Sequence, residues 1–140
     1  MGKTIQEVED EIIEEFSLFN DWMEKYEYII ELGKNLNPLK EEEKTEENRV
    51  TGCQSQVWIV SEFRDGRVFF RADSDAIITK GLVALILRVL SNRTPEEILN
   101  ADLSFIDKIG MKEHLSPTRA NGLVSMIKHI KTEATKYLKN

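Results

Sequence analysis

The residue type here with the most versatile side-chain chemistry is cysteine, and the chain has one, Cys53, within Thr51-Gly52-Cys53-Gln54-Ser55-Gln56. A thiol that fills a core sits among apolar neighbours, whereas this one is flanked by polar residues and a glycine, which places it in a loop or turn. Gly52 permits a positive φ or the close approach of another backbone, and Val57-Trp58-Ile59-Val60 is β-branched and aromatic enough to begin a strand directly afterwards. The thiol is thus displayed at the mouth of a strand. One thiol excludes an internal disulfide and a zinc site built on paired thiolates, so any thiol-based nucleophilic or redox role must use Cys53.

The only imidazoles are His114 and His129. A Cys-His hydrolase would pair Cys53 with one of them, His114 before the last helix being the candidate base. A Gly-rich phosphate loop, a His-Glu-x-x-His pair and a nucleophile elbow are all missing from the sequence. An adaptor whose cysteine is inert is a third reading.

The 140 residues, 41% hydrophobic and 31% charged, suit one domain with an adequate core. A formal charge of −6 argues against a nucleic-acid surface. That charge is uneven: residues 1–50 hold 15 acids and 6 bases, and residues 51–140 hold 10 acids and 13 bases. The acidic half could meet a basic partner, although solvated helix faces account for such charges as well. No apolar run approaches the roughly 20 residues of a membrane span, and Met1-Gly2-Lys3-Thr4-Ile5-Gln6-Glu7 lacks the apolar region of a signal peptide. With a free thiol, that reads as a cytoplasmic protein without membrane contact.

The positioning elements follow from spacing and caps. Thr4-Ile5-Gln6-Glu7 is a capping box opening a helix with Ile5, Val8, Ile12, Phe16 and Phe19 on one face. Asn20 and Asp21 can cap a second, in which Trp22, Met23, Tyr26, Ile29 and Ile30 recur until Gly33. Lys34 to Asn48, with Pro38 and the acidic run Glu41 to Glu47, reads as a loop holding one helical turn. Gln56–Phe63 and Arg67–Ala72 form a hairpin through Arg64-Asp65-Gly66, and the residues before Cys53 can add a third strand. Asp73-Ser74-Asp75 supplies N-cap candidates for a helix so apolar from Ile77 to Leu90 that it must be buried. Thr94-Pro95-Glu96-Glu97 caps another helix, Asp102 to Gly110 reads as a short one ending at glycine, and Ser116-Pro117 starts the last. Leu123, Val124, Ile127, Ile130, Ala134 and Tyr137 form the apolar stripe of that last helix. The fold class is α+β, with a small antiparallel sheet of about three strands packed against several helices.

Three distant segments, Asn48 to Trp58, Asp73 to Leu82 and His114 to Leu123, resemble the SufE sulfur-acceptor proteins of iron-sulfur cluster assembly, including the CsdE branch. Weaker agreement comes from Trp22, Lys25-Tyr26 and Tyr28 to Gly33. The resemblance spans nearly the whole chain and implies a single SufE/IscU-like domain over residues 1–140. It implies an accessory sulfur-transfer protein and desulfurase activator rather than an enzyme. Cys53 would form the persulfide, taking sulfur from a SufS-type cysteine desulfurase whose pyridoxal phosphate stays on that partner, with no cofactor or metal on this chain. A SufBCD-type scaffold would receive the sulfur, a CsdE-like relay would deliver it to another pathway, and a homodimer is compatible with either. Gly52, Gln54, Ser55, Asp73, Asp75 and Arg119 are then the supporting or partner-binding residues.

Three expectations accompany that reading. An ordinary thiol, with a pKa near 8.5, is mostly protonated at neutral pH, so positive potential from Arg119 would favour the thiolate. The thiol should be tucked inward at rest, because a persulfide in water is lost to oxidants and stray thiols. The Cys53 loop, Asp73-Ser74-Asp75 and Arg119 should converge on one docking face, unless the acids only cap their helix.

Overall fold

The computed structural model describes residues 2–138. Helix α1 (Ile5–Ser17) starts at the expected capping box, with Thr4 Oγ1 accepting from the Glu7 amide and Glu7 accepting from the Thr4 amide. Helix α2 (Trp22–Lys34) is capped by Asp21 and packs on α1 after a short turn, its Tyr28 ring meeting Phe16 edge-on at 5.5 Å. A single 3₁₀ turn, Glu41–Glu43, interrupts the following loop, and its Glu43 pairs with Arg71 at 3.0 Å.

Strands β1 (Val57–Arg64) and β2 (Arg67–Ser74) form an antiparallel hairpin in the register Arg64↔Arg67 to Val57↔Ser74. Asp65 and Gly66 both take positive φ, 52° and 78°, the tight turn whose twist matches that of the strands. Val57, Ile59, Val68, Phe70 and Ala72 point to the core. The third strand expected before Cys53 is reduced to one bridge, Arg49↔Trp58, supported by Val50 N to Val57 O and Ile59 N to Asn48 O, both 2.8 Å. The reason is local: a turn at Thr45–Asn48 precedes that bridge and the Thr51-Gly52 turn follows it, so no extended length remains to pair.

Helix α3 (Ile77–Leu90) lies under the sheet and is buried almost all round, as its apolar circumference requires. It crosses α2 at glycine against glycine. A Cβ on Gly81 would overlap the Ile29 backbone, and one on Gly33 would stand 2.8 Å from the Gly81 nitrogen. Helices α4 (Pro95–Asn100) and α5 (Phe105–Lys108) are short, the first with the Thr94/Glu97 capping box and the second followed by Gly110 at φ 76°. After the 3₁₀ turn Lys112–His114, helix α6 (Pro117–Thr135) is capped by Ser116 Oγ and packs across α3, α4 and β1.

Two residues assigned to apolar faces point outward: Met23 is 68% exposed and Val124 is 56% exposed. Each sits about 100° round its helix from a neighbour that does pack, Trp22 and Leu123. The stripe of α6 runs instead through Leu123, Met126, Ile130 and Ala134, and Tyr137, beyond the helix, stacks on Phe63 at 5.0 Å.

Candidate functional site

Cys53 lies in the loop between the Thr51-Gly52 turn and β1 and is held at both ends. On the upstream side Gly52 adopts φ 93° and rests on α6, where an added Cβ would collide with Ser125 Oγ and come within 3.2 Å of Ser125 Cβ. Only glycine satisfies both the conformation and the contact. On the downstream side the Asp73-Ser74-Asp75 segment grips Gln56: its amide donates to Asp75 Oδ1 at 3.0 Å, and its carbonyl accepts from Ser74 Oγ at 2.8 Å and from the Asp75 amide at 3.2 Å.

That arrangement corrects the capping role expected for these acids. The N-cap of α3 is Ala76, with no side-chain cap. Asp75 is committed to the cysteine loop, and Asp73, 6% exposed, is turned inward to accept from the amides of Ser74 (2.8 Å) and Leu39 (3.2 Å) beside Lys80 and Lys44. Burial pushes the Asp73 carboxyl up, but those two amides and the two ammonium groups outweigh it and hold the group below its ordinary value. Asp73 therefore braces the fold from within, tying the start of α3 to the loop at Leu39.

The thiol points to α6. Sγ lies 3.5 Å from the Gly122 carbonyl oxygen, a weak S–H donor contact along a helix that lacks a side chain at that point. A cavity of about 280 Å³ opens beside it, lined by Gln54 and Ser55 of the loop, Thr79 and Leu82 of α3, and Arg119 and Met126 of α6. Burial pushes the Cys53 thiol above its ordinary pKa. Arg119 lines the same cavity, and desolvation of the sulfur sets the direction of the shift. Arg119 is exposed, and its side chain has no carboxylate partner among the described residues.

Neither histidine reaches this cavity. His114 stacks on Trp22 at 4.0 Å with Nδ1 3.1 Å from the Gly110 carbonyl, so the Cys53–His114 pair of a hydrolase is not assembled. His129 lies behind the loop, beside Thr51 and Gly52, where burial lowers its pKa. Among the described residues no three His, Cys, Asp or Glu side chains gather to hold a metal ion. Thr79, Leu82, Gly122, Ser125 and Met126 join the site only through the fold, the first three from within the segments that carry the family resemblance. Gly122 carried a signal, because a glycine inside a helix costs about 1 kcal/mol against alanine and its presence points to a packing reason.

Residues 10–134 match SufE, the Fe-S metabolism associated domain. The chain belongs to the SufE family. It is 47% identical to an uncharacterised SufE-like protein of Rhizobium meliloti (strain 1021), covering 89% of this chain and 93% of that one. It is 45% identical to an uncharacterised SufE-like protein of Rhizobium etli, covering 89% and 88%. The fold also matches the solution structure of a hypothetical protein from Thermus thermophilus, with a TM-score of 0.78 at 20% identity, over 95% of this chain and 97% of that one. Membership in the SufE family ties the chain to sulfur transfer in iron–sulfur metabolism. No helix among the described residues is long and apolar enough to cross a membrane.

Proposed function

We propose that Cys53 accepts sulfane sulfur from a SufS-type cysteine desulfurase, stimulates that enzyme by clearing its persulfide, and passes the sulfur to a SufBCD-type scaffold in the cytoplasm. The observation that carries this reading is a lone thiol, held by two loop anchors beside a cavity with room for one more sulfur atom. In the transfer the Cys53 thiolate attacks the terminal sulfur of the donor persulfide. A new S–S bond forms on Cys53, the donor's S–S bond breaks, and the donor cysteine leaves as thiolate, so no oxidant or metal is consumed. Because burial keeps the resting thiol protonated, docking has to loosen the loop and bring Sγ toward Arg119, where the thiolate gains a positive neighbour. The docking face then comprises Gln54, Ser55, Asp75 and Arg119, with Gly52 as the hinge that keeps the loop on α6.

Incubation with a desulfurase and cysteine, followed by mass spectrometry, tests this. The wild type should gain one sulfur, and Cys53→Ser should fold normally, gain none and fail to stimulate the desulfurase. Undiminished stimulation by Cys53→Ser would sink the carrier mechanism.

A further inference from the structure

At the other end of α3 from the thiol, the start of α1 and the segment Arg88–Arg93 frame a second cavity, of about 610 Å³. Its charged lining is Lys3, Arg67, Arg88 and Arg93, with one acid, Glu97. No residue is shared with the Cys53 cavity. Two of the four cations are already neutralised: Arg88 grips Glu15 with both Nη atoms, at 2.7 and 2.6 Å, and Lys3 pairs with Glu11. The other two are not. Among the described residues, Arg67 donates to the Asn92 carbonyl at 2.8 Å, and Arg93 donates to the Val89 carbonyl at 3.0 Å and to that of Lys3. Neither guanidinium has a carboxylate partner among the described residues, and Glu97 uses its Oε1 on the Thr94 amide at 2.9 Å.

Arg93 is 7% exposed. A guanidinium does not shed its proton in the range where proteins fold, so its burial cannot be relieved by neutralisation. Carbonyl dipoles compensate in part, and an anion would complete the balance. The start of the 13-residue α1, on the Thr4 side, adds a positive end of a helix dipole. This positive cavity stands in a chain of net charge −6.

The geometry points to an anion-binding site between Arg67 and Arg93 for a small molecule bearing a phosphoryl or dicarboxylate group. The planar fork of arginine suits either anion, and the cavity volume falls within the roughly 300–1,000 Å³ of small-molecule sites. The site is independent of the role assigned to the thiol.

Titration of the ¹⁵N-labelled full chain with sodium phosphate, and separately with sodium succinate, at ionic strength held constant with sodium chloride, tests the site. Saturable amide shifts at Thr4, Arg67, Asn92 and Arg93 are expected from at least one anion. Arg67→Glu alters an exposed side chain and should weaken that binding by about tenfold or more, an effect of about 1.4 kcal/mol. Arg93→Lys, which keeps the charge but loses the fork, should weaken it while circular dichroism stays unchanged. Tighter phosphate assigns the phosphoryl class and tighter succinate the carboxylate class. Shifts that never saturate, or curves unchanged in Arg67→Glu, overturn the proposal.

Discussion

The sulfur of Cys53 lies 3.5 Å from the carbonyl oxygen of Gly122, sixty-nine residues later in the chain, with no side chain on that helix position to hold it off. An added Cβ at 122 would stand 3.4 Å from Sγ, in van der Waals contact with it, and a longer side chain there would have to share the space that the sulfur occupies. The thiol thus rests against α6 at a position that carries no side chain.

Alkylation should report this shelter. The native thiol is expected to react with iodoacetamide at least about tenfold more slowly than the same protein in denaturant, and its rate should rise with pH through a midpoint above the ordinary thiol value of about 8.5. Gly122→Leu should push the sulfur out and raise the native rate. Equal rates for Gly122→Leu and wild type would show that the thiol does not rest on this helix.

Loop anchoring by Asp75 has a separable signature. Asp75→Arg removes the acceptor of the Gln56 amide, and because the site is exposed the loss of stability should be about 1 kcal/mol. The loop should open more often, so Cys53 alkylation should accelerate. Desulfurase affinity measured on the same variant assigns the docking role: a fall in melting temperature and faster alkylation with unchanged affinity would restrict Asp75 to the loop.

Glu9 is 3% exposed, and its Oε2 has no hydrogen-bond partner among the described residues. Burial, and then the charge of Asp102, raise its pKa above the ordinary carboxylate value, partly offset by Lys108. The folded state therefore holds this proton to higher pH than the unfolded chain does, and stability is lost as pH rises through the folded pKa. Glu9→Gln removes the charge and should stabilise the protein at pH 7.5 by about 1–3 kcal/mol, with the gain fading toward pH 4. Urea denaturation at both pH values checks it. A glutamine variant less stable than wild type at pH 7.5 would count against the assignment.

Much of this fold is legible because its signals are local. The boxes at Thr4/Glu7 and Thr94/Glu97 and the Asp65-Gly66 turn are settled by atoms three or four residues apart, and the all-round apolar α3 admits no exposed placement. The loop setting of Cys53 follows from its neighbours in the same way. Asp73-Ser74-Asp75 shows where that reach ends. By composition it is a helix cap, and packing gave it other donors: the Gln56 amide nineteen residues earlier and the Leu39 amide thirty-four residues earlier. A carboxylate bonds whichever unsatisfied N–H group the fold brings to it, and sequence order does not rank the candidates. The direction of the Cys53 pKa was decided likewise. Arg119 is visible in the sequence as a charge, but desolvation depends on how closely α6 covers the loop, which rests on the glycine contacts at Gly52 and Gly122 and exists only once the chain has folded.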